Sequence, residues 1–262
     1  MRIVSLASGS AGNACLVERA GEMLLIDCGI TCRQLRTRAE AVGFDLGRLR
    51  AVLVTHSHRD HVEGLRVLLR KFDVPVFANL MTAESVTTQA EVPEEAFVCF
   101  ENGQSFEVGG FSISPFSIPH DTSDPVGYLV RADGVTYFHG TDIGTPLDSV
   151  GLKLAEADVA TLESNHDPVL LKTSDRAESL KQRIAGPRGH LSNDQAADLV
   201  RRFASPRLRK LALAHLSREC NAPHLAEGTM RETLQELRRT DVELEVLEQD
   251  LPGRVWNSAS EA

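Results

Sequence analysis

THSHRDHVEG, residues 55–64, gathers three histidines and an aspartate within six positions, from His56 to His61. An apolar run, AVLVT at 51–55, precedes this cluster, and apolar residues at helical spacing follow it between positions 62 and 69. The cluster is therefore predicted to lie on a loop between a buried strand and a helix. Such a loop can aim several side chains at one point, and imidazole with carboxylate is a ligand set that suits Zn, Mn or Fe rather than Ca.

The spacing inside the cluster predicts two neighbouring metal positions. His56 and His58 are two residues apart, so in an extended loop they project together and can chelate one ion. Asp60 and His61 then face a second position a few ångströms away. A single histidine in such a loop is more often solvated than bound to a metal. Solvated loop residues are a much weaker explanation for four potential ligands within six positions. We therefore predict a dinuclear site.

Composition and charge restrict the class of protein only loosely. The 262 residues, 42% of them hydrophobic, suffice for one sizeable core, and we expect a single domain over residues 1–252 followed by a loose tail, 253–262. The net charge of −9 argues against a surface that is basic throughout. A basic stripe along a cleft remains compatible with that charge, so the charge does not decide the substrate.

Cysteine usage and hydropathy favour a cytoplasmic protein. The five cysteines are odd in number and lack C-x-x-C spacing, which favours a reducing compartment over a structural zinc knuckle or a redox motif. The opening MRIVSLASGSAGN has too short an apolar run for a signal peptide, and no later stretch approaches membrane-spanning length. We therefore expect a protein without membrane contact.

Short apolar runs alternate with amphipathic stretches along both halves of the chain. Strands are predicted at 2–7, 14–19, 23–27, 51–55, 74–78, 97–100, 111–118, 126–131, 135–138, 158–163 and 210–215. Helices are predicted near 31–43, 146–156, 175–185, 192–204 and 223–239, besides the one that follows the histidine cluster. Strands followed by helices in both halves indicate an α/β protein.

THSHRDH is similar to the T-H-x-H-x-D-H signature of the metallo-β-lactamase superfamily, and LLIDCG resembles the aspartate-bearing turn of that superfamily, here with Asp27. The resemblance implies an α/β fold of the αββα type, a four-layer sandwich with the metal site at one edge of its two packed sheets. It also implies a third histidine for the first metal, a bridging carboxylate and a late histidine for the second. His120, Asp142 and His215 each follow an apolar run, in that order. The implied ligands of two divalent ions, Zn or Mn with Fe as a further candidate, are His56, His58, Asp60, His61, His120, Asp142 and His215.

Four further segments narrow the resemblance. SLASGSAGNACLVE, LESNHD, GHLSNDQAA and AHLSRECNAP together resemble the YycJ group, also called WalJ or VicX, whose members are regarded as DNA exonuclease-like hydrolases. The quoted segments lie between residues 5 and 223, so the resemblance covers most of the chain. Asp142 stands where true β-lactamases carry cysteine, and the chain has little room for the insertion of the β-CASP nucleases, so both of those activities are disfavoured. Residues 169–184 depart from the Gly-Pro-Tyr-Pro-like turn of the YycJ group, so the resemblance does not predict that wall of the cleft.

Two of these segments also resemble the tRNA-maturation ribonuclease RNase Z, in which a glutamate and a histidine outside the metal shell assist the leaving group. On that pattern Glu163 and His190 are the corresponding pair, and we count them with Asp60 as catalytic residues. An uncoordinated imidazole held by a carboxylate can protonate a leaving alkoxide at neutral pH, a contribution of about 10²–10⁴-fold. Alternatively, Glu163 is a surface carboxylate at a strand end, and His190 begins a helix beside the cap-like Ser192 and Asn193.

The small polar turn SGSAGN offers a weaker candidate for substrate binding. Ser8, Ser10 and Asn13 could present hydroxyl and backbone N–H groups to a phosphate, as turns of small residues do. A tight hairpin turn explains the same residues equally simply.

Three functions compete on the sequence. We favour a dinuclear metal-dependent phosphodiesterase, a nuclease acting on the ends of DNA or RNA, in which a hydroxide between the metals attacks phosphorus. The alternative is a small-molecule hydrolase on the same fold, such as a cyclic-phosphate phosphodiesterase, a thioesterase or a lactonase. The third is a regulatory module without catalysis, and the complete ligand set weighs against it. A narrow cleft without a basic rim would favour the small-molecule hydrolase.

Overall fold

Two mixed β-sheets form the centre of the computed structural model, which describes residues 1–261. The strands are β1 (Arg2–Ala7), β2 (Ala14–Arg19), β3 (Glu22–Ile26), β4 (Leu49–Leu53), β5 (Val76–Asn79), β6 (Phe97–Phe100), β7 (Phe106–Val108), β8 (Phe111–Ser117), β9 (Val126–Ala132), β10 (Val135–Gly140), β11 (Val159–Glu163), β12 (Lys210–Ala214), β13 (Glu243–Val246) and β14 (Trp256–Asn257). The helices are α1 (Cys32–Ala41), α2 (Arg59–Val62), α3 (Leu65–Leu69), α4 (Leu80–Ala90), α5 (Asp148–Leu154), α6 (Pro168–Thr173), α7 (Glu178–Ala185), α8 (Asn193–Phe203) and α9 (Pro223–Glu236).

Each half of the chain supplies most of one sheet. The strand order is β14-β1-β2-β3-β4-β5-β6 in the first sheet and β13-β12-β11-β10-β9-β8-β7 in the second. In the first sheet, successive strands pair antiparallel from β1 to β3 and in parallel from β3 to β6. In the second sheet, they pair antiparallel from β7 to β10 and in parallel from β10 to β13. Parallel strands bring their carboxyl ends to one edge of a sheet, where α/β proteins commonly hold functional side chains.

The central strands are buried on both faces, because one face meets the other sheet and the opposite face meets helices. In β3, Leu24 and Ile26 pack between the two sheets, whereas Met23 and Leu25 belong to the cluster that meets the helices. Tyr137 of β10 joins the cluster between the sheets from the second sheet. This double burial explains why the strands read as nearly continuous apolar runs.

Helices cover the outer face of each sheet. Leu35 of α1, Leu65 of α3 and Val86 of α4 belong to the apolar cluster on the first sheet. Leu199 of α8 and Met230 of α9 belong to the cluster on the second sheet. The layers therefore follow the order helix, sheet, sheet, helix, which confirms the α/β four-layer αββα sandwich expected from the resemblance.

The structure adds elements that the sequence did not predict, namely β7, β13, β14, α4 and α6. β7 and β13 are the edge strands of the second sheet, and their short runs FEV and ELEV are too brief to separate from loops by periodicity. α4 contains β-branched residues, which lower helix propensity. Asn79 nevertheless starts this helix, because its side chain accepts a hydrogen bond from the backbone N–H of Thr82 (2.9 Å).

The carboxyl-terminal residues differ from the loose tail expected from Gly253 onward. Residues 256–257 form β14, which pairs antiparallel with β1 and sets Trp256 opposite Ile3. Trp256 is 3% exposed and belongs to the apolar cluster between the sheets. Burial of this large indole explains why a segment of polar, turn-forming composition adds a strand to the first sheet beyond the predicted boundary at residue 252.

The cysteines and the helices bear on the expected compartment. All five cysteines are free thiols, and only Cys99 is exposed. Free thiols are the state that a reducing compartment maintains. Within residues 1–261, no helix combines the length and apolar character needed to cross a lipid bilayer.

Candidate metal centre and catalytic cleft

The predicted site residues meet at the edge where parallel strands of both sheets end. Asp27 and His56 follow β3 and β4 of the first sheet. Asp142 and His215 follow β10 and β12 of the second sheet, and Glu163 is the last residue of β11 between those two strands. One edge of the sandwich therefore receives ligands from both halves of the chain.

Three of these strand ends have a left-handed backbone conformation. The φ angle is 58° at Asp27, 58° at Asp142 and 57° at His215. This conformation is unfavourable for residues with a Cβ atom, although aspartate tolerates it better than most. Unfavourable backbone angles persist only where surrounding contacts hold them, and they cluster at functional sites.

The first group of candidate ligands consists of His56, His58 and His120, whose ligand atoms lie within 4.8 Å of one another. His120 donates from Nδ1 to the carbonyl oxygen of Gly189 (3.0 Å), which leaves Nε2 free to face His58. Burial lowers the pKa of both His56 and His58, so these two imidazoles are held in the neutral form that binds metals.

The second group consists of Asp60, His61 and His215. Its sequence neighbours Asp60 and His61 lie in the short helix α2 rather than on the predicted loop. The Nε2 atoms of His61 and His215 lie 3.5 and 3.4 Å from Asp60 Oδ2. Burial alone would lower the pKa of His61, but the charges of Asp27 and Asp60 raise it well above its ordinary value.

Asp142 lies between the two groups. Its Oδ2 is 3.2 Å from His61 Nε2, and its Oδ1 is 3.7 Å from His120 Nε2 and 3.6 Å from His215 Nδ1. Burial alone would raise the pKa of this carboxyl group, but His215 and His61 hold it well below its usual range. Asp142 is therefore a negative charge surrounded by imidazoles from both groups.

Two buried atoms at this centre make no well-aligned hydrogen bond among the described residues, His56 Nε2 and Asp142 Oδ2, and the second of them lies 3.2 Å from His61 Nε2. A buried polar atom without a partner costs roughly 1–3 kcal/mol, and such atoms in native proteins commonly face an ion or a water molecule. Imidazole nitrogens with carboxylate oxygens are ligands for Zn, Mn or Fe. The residues present therefore fit a divalent metal.

The turns around the centre hold its ligands in place. Asp27 is completely buried and accepts hydrogen bonds from His61 Nδ1 (2.7 Å) and from the Thr55 hydroxyl group (2.9 Å). Gly29 packs so closely against the backbone oxygen of Asp60 that a Cβ atom would lie 1.6 Å from it. The aspartate-bearing turn therefore orients His61, as carboxylates do for metal-binding histidines.

Asn13 also contacts the ligands rather than the substrate space. Its amide nitrogen lies 3.2 Å from Asp60 Oδ2 and 3.0 Å from His61 Nε2, and its oxygen accepts the backbone N–H of Gly9 (2.9 Å). The SGSAGN turn thus encloses the edge of the metal centre, and Ser8 accepts the backbone N–H of His215 (2.8 Å). Of the turn residues considered for phosphate binding, Ser10 lines the cleft.

The substitution Asp27→Asn is expected to lower metal affinity by about 10–100-fold while the fold is kept. The amide cannot provide the carboxylate charge that holds the His61 Nδ1 proton, and the left-handed backbone angle still suits asparagine. Competition with a chromophoric chelator measures the affinity. Asp45→Asn is the matched control, since Asp45 is an exposed residue that begins a 3-10 helix and asparagine caps equally well. Unchanged affinity in Asp27→Asn would show that His61 needs no carboxylate.

Glu163 and His190 form a pair beside the candidate metal ligands. His190 donates from Nδ1 to Glu163 Oε1 (2.8 Å), and Glu163 Oε2 accepts the backbone N–H groups of Ile143 (2.8 Å) and Leu191 (3.0 Å). Burial alone would lower the pKa of His190, but the charge of Glu163 and the hydrogen bond to it raise that pKa. Glu163 is completely buried, so the alternative of a surface carboxylate does not describe it.

A buried polar network supports this side of the centre. The segments LESNHD, GHLSNDQAA and AHLSRECNAP meet through Ser164, Asn193 and Asn221, because Ser164 Oγ and Asn221 Nδ2 both donate to Asn193 Oδ1 (2.7 and 2.9 Å). Asn165 Nδ2 donates to the backbone oxygen of His215 (2.8 Å). These amides explain why the three segments contain so many small polar residues, and they hold the left-handed turn at His215.

One cleft with a volume of about 290 Å³ is lined by His190 and by five of the candidate ligands, His58, Asp60, His120, Asp142 and His215, whereas His56, His61 and Glu163 are completely buried. Its lining residues outside the predicted site are Ser10, Asp121, Arg176, Leu180, Arg183, Ile184 and Gly189. Asp121, Arg176 and Arg183 were not predicted as site residues from the sequence. Asp121 directly follows His120, and that adjacency was the one signal that could have identified it.

Comparison with known proteins places this arrangement in a family. The model of the beta-lactamase superfamily domain matches residues 22–215. The exodeoxyribonuclease WalJ of Streptococcus pneumoniae serotype 2 (strain D39 / NCTC 7466) is 33% identical over 228 residues, which cover 86% of this chain and 85% of that protein. The exodeoxyribonuclease YycJ of Bacillus anthracis is 30% identical over 232 residues and 88% of each chain. These relatives confirm the resemblance to the YycJ group.

The fold is shared with solved structures at much lower identity. The crystal structure of zinc-bound PqqB from Methylobacterium extorquens matches with a TM-score of 0.72 and 16% identity, covering 97% of this chain and 100% of that one. The family model extends from β3 to the residue after β12 and includes every strand end that carries a candidate ligand. The chain therefore belongs to the beta-lactamase superfamily.

Proposed function

We propose that this chain is a metal-dependent phosphodiesterase that shortens DNA from its ends. The exodeoxyribonucleases WalJ and YycJ align with 86% and 88% of the chain, which supports a nucleic acid as substrate. The observation that carries the reaction class is the Glu163–His190 pair, 2.8 Å apart and next to the candidate metal ligands. Cleavage of a phosphodiester releases an alkoxide that needs a proton, and a histidine held by a carboxylate can supply it.

The proposed metal ligands are the seven side chains predicted from the sequence. His56, His58 and His120 form one position, Asp60, His61 and His215 form the other, and Asp142 is shared by both. The proposed occupants are two divalent ions, Zn or Mn, with Fe as a further candidate. When bound, such ions lower the pKa of water and stabilise charge on phosphoryl oxygens.

The remaining catalytic task belongs to His190. Its Nδ1 is engaged by Glu163, so Nε2 is the nitrogen left for a substrate atom in the cleft that His190 lines. The Ile143 and Leu191 N–H groups fix Glu163, and Glu163 in turn fixes the tautomer and the orientation of the imidazole. We therefore assign proton donation to His190 and positioning to Glu163. Asp60 is assigned to catalysis through the metals it holds.

A small phosphodiester is the second candidate substrate. The cleft volume of about 290 Å³ lies at the lower end of the range for small-ligand sites, roughly 300–1,000 Å³. The rim of the cleft nevertheless carries Arg176 and Arg183, whereas a cleft without a basic rim was the feature expected of the small-molecule hydrolase. This rim favours the longer polyanion.

The expected outcome of the direct test is metal-dependent shortening of end-labelled DNA. Protein stripped of metal and reloaded separately with Zn and Mn is compared on single- and double-stranded DNA and RNA and on bis-p-nitrophenyl phosphate. The variant Asp60→Ala is the control and should lose the activity. Hydrolysis of the small diester alone would indicate that the substrate is a small phosphoester. No activity on any substrate with metal bound would contradict the proposal of a phosphodiesterase.

We also propose a cytoplasmic location for this activity. The five free cysteines support a reducing compartment. DNA in that compartment is accessible to an enzyme of this class. RNA ends are the alternative polymer, and the direct test separates the two.

A further inference from the structure

One wall of the cleft is formed by a segment that differs from the YycJ-like turn, residues 168–185. This segment folds into α6 and α7, joined by the loop that carries Arg176. Arg176, Leu180 and Arg183 of this wall line the cleft together with the candidate metal ligands. The wall thus adds two guanidinium groups and an apolar side chain to a cleft whose other lining is mainly histidine and carboxylate.

The wall is anchored beside the metal centre rather than attached loosely. Ile184 of α7 packs with Leu171 of α6 and Cys220 in a buried cluster of its own. Asp167 caps α6 by accepting the backbone N–H groups of the next residues, including that of Leu170 (2.8 Å). The chain after α7 returns to the centre, where Gly189 accepts the His120 hydrogen bond (3.0 Å). These contacts hold the two arginines at a defined distance from the ligands.

Arg183 is directed at the carboxylate closest to the first ligand group. Its Nε donates to Asp121 Oδ2 (2.5 Å), while Asp121 Oδ1 lies 3.6 Å from His58 Nε2 and 3.4 Å from His120 Nε2. Asp121 lines the same cleft, so without Arg183 its negative charge would repel an anionic substrate there. The Arg183 side chain is 64% exposed, so it can contact a second anion.

Arg176 also has capacity left for an anion. Its Nε donates to Glu219 Oε2 (3.0 Å), a carboxylate that is 68% exposed. A guanidinium group has five N–H donors, and the structure records no other hydrogen bond of Arg176 among the described residues. Arginine binds phosphate oxygens through two parallel N–H groups, which suits this remaining edge.

We propose that Arg176 and Arg183 bind backbone phosphates of the DNA strand adjacent to the bond that is cleaved, and that Arg183 also neutralises Asp121. This inference rests on the proposed function and deepens it. Phosphate contacts position a strand without reading its sequence, so the wall selects a polymer over a small diester. A small diester has a single phosphate, which belongs at the metal centre, so it offers the arginines no second phosphate to bind.

The test compares Arg176→Ala and Arg183→Ala with the wild type on labelled single-stranded DNA and on bis-p-nitrophenyl phosphate. We expect KM for DNA to rise and the ratio of kcat/KM for DNA to that for the small diester to fall at least tenfold. The salt dependence gives a second readout, because each lost phosphate contact should reduce the slope of log(1/KM) against log salt by about 0.7. Arg231→Ala is the matched control, since Arg231 pairs with Glu227 on α9 and is 55% exposed.

A binding measurement separates strand contact from catalysis. Fluorescence anisotropy of a labelled oligonucleotide in chelator reports affinity without turnover, and both variants should bind several-fold more weakly than Arg231→Ala. The double variant Arg183→Ala/Asp121→Asn should recover part of the affinity lost in Arg183→Ala. It lacks the Asp121 carboxylate, which repels DNA once Arg183 no longer neutralises it. Metal content is measured in every variant that changes Asp121, which neighbours His120.

The outcomes distinguish this inference from the proposed function. If the wild type shortens DNA while Arg176→Ala and Arg183→Ala keep its KM, salt slope and anisotropy, the inference is overturned and the nuclease stands. An equal loss on DNA and on the small diester would likewise overturn it, because the arginines would then serve the metal centre. If the wild type cleaves no polynucleotide at all, the proposed function itself fails.

Discussion

His190→Ala is expected to reduce turnover of DNA by about 10²–10⁴-fold while metal content stays unchanged. In the proposed assignment His190 is not a metal ligand, although it lies close enough to Asp142, Glu163 and His215 to form a group with them, because its Nδ1 is tied to the buried Glu163 (2.8 Å). Its loss therefore removes a proton donor but no ligand. Single-turnover kinetics on end-labelled DNA measure the chemical step, and elemental analysis measures the metal.

The leaving group provides the sharpest control for this role. p-Nitrophenolate departs without a proton, so His190→Ala should lose much less activity on bis-p-nitrophenyl phosphate than on DNA. His190→Gln can still donate a hydrogen bond to Glu163, but it cannot act as an acid at neutral pH. This variant should therefore match the alanine variant on DNA.

Three results would contradict proton donation by His190. Full activity of His190→Ala on DNA would remove the residue from the mechanism. A loss of the same size on both substrates, together with lost metal, would assign His190 to the metal centre, whose Asp142 Oδ1 lies 3.6 Å from His190 Nδ1. Recovery of DNA cleavage in His190→Gln alone would assign it to positioning.

The candidate ligands could be proposed from the sequence because the resemblance to the metallo-β-lactamase signature implied them. His56, Asp142 and His215 stand one to three residues beyond β4, β10 and β12. Strand ends of parallel sheets meet at one edge, which explains how these residues come together from distant parts of the chain. The apolar pattern placed Asp60 and His61 on a loop, although the structure has them in α2. A helix of four residues is too short to produce a periodic signal.

The supporting residues could not be predicted in the same way, because their roles depend on contacts between separate segments. Asn13 is a turn residue by sequence, yet its amide contacts Asp60 and His61 across the centre. Arg176 and Arg183 look like charges on solvated helices until α6 and α7 are seen to line the cleft. Charged side chains carry little positional information in a sequence, since most helices expose them.

The edge strands of the two sheets were not predicted from the sequence for a related physical reason. β7, β13 and β14 are short or polar, and tertiary pairing rather than local propensity makes them strands. Trp256 shows this most clearly, because its burial between the sheets adds a strand to the segment expected to be a loose tail. The central strands, in contrast, could be predicted from their short apolar runs, and the resemblance to the metallo-β-lactamase superfamily implied their four-layer arrangement.

Asp142→Asn is expected to lower metal affinity more than about 100-fold, beyond the range typical of residues that only orient a ligand, and to abolish turnover of DNA. Asp142 is the carboxylate between the two groups of candidate ligands, and its buried Oδ2 lies 3.2 Å from His61 Nε2. Asparagine keeps the shape and tolerates the φ angle of 58°. The substitution removes the negative charge of the carboxylate, which would reduce the repulsion between two bound cations. Dialysis against a metal buffer followed by elemental analysis measures the affinity.

The control for Asp142→Asn is Asp133→Asn, which makes the same chemical change in the same type of backbone. Asp133 has a φ angle of 52° in the turn between β9 and β10, and its partners are Arg19 and the amino group of Met1. Ion pairs at the surface contribute little to stability, so metal binding and turnover should be unaffected. Wild-type metal content in Asp142→Asn would contradict a shared ligand and would divide the centre into two independent histidine sites. Loss of metal in both variants would instead indicate a general effect of the substitution on the fold. Only selective loss in Asp142→Asn supports one centre built around this carboxylate, because the two substitutions differ in location alone.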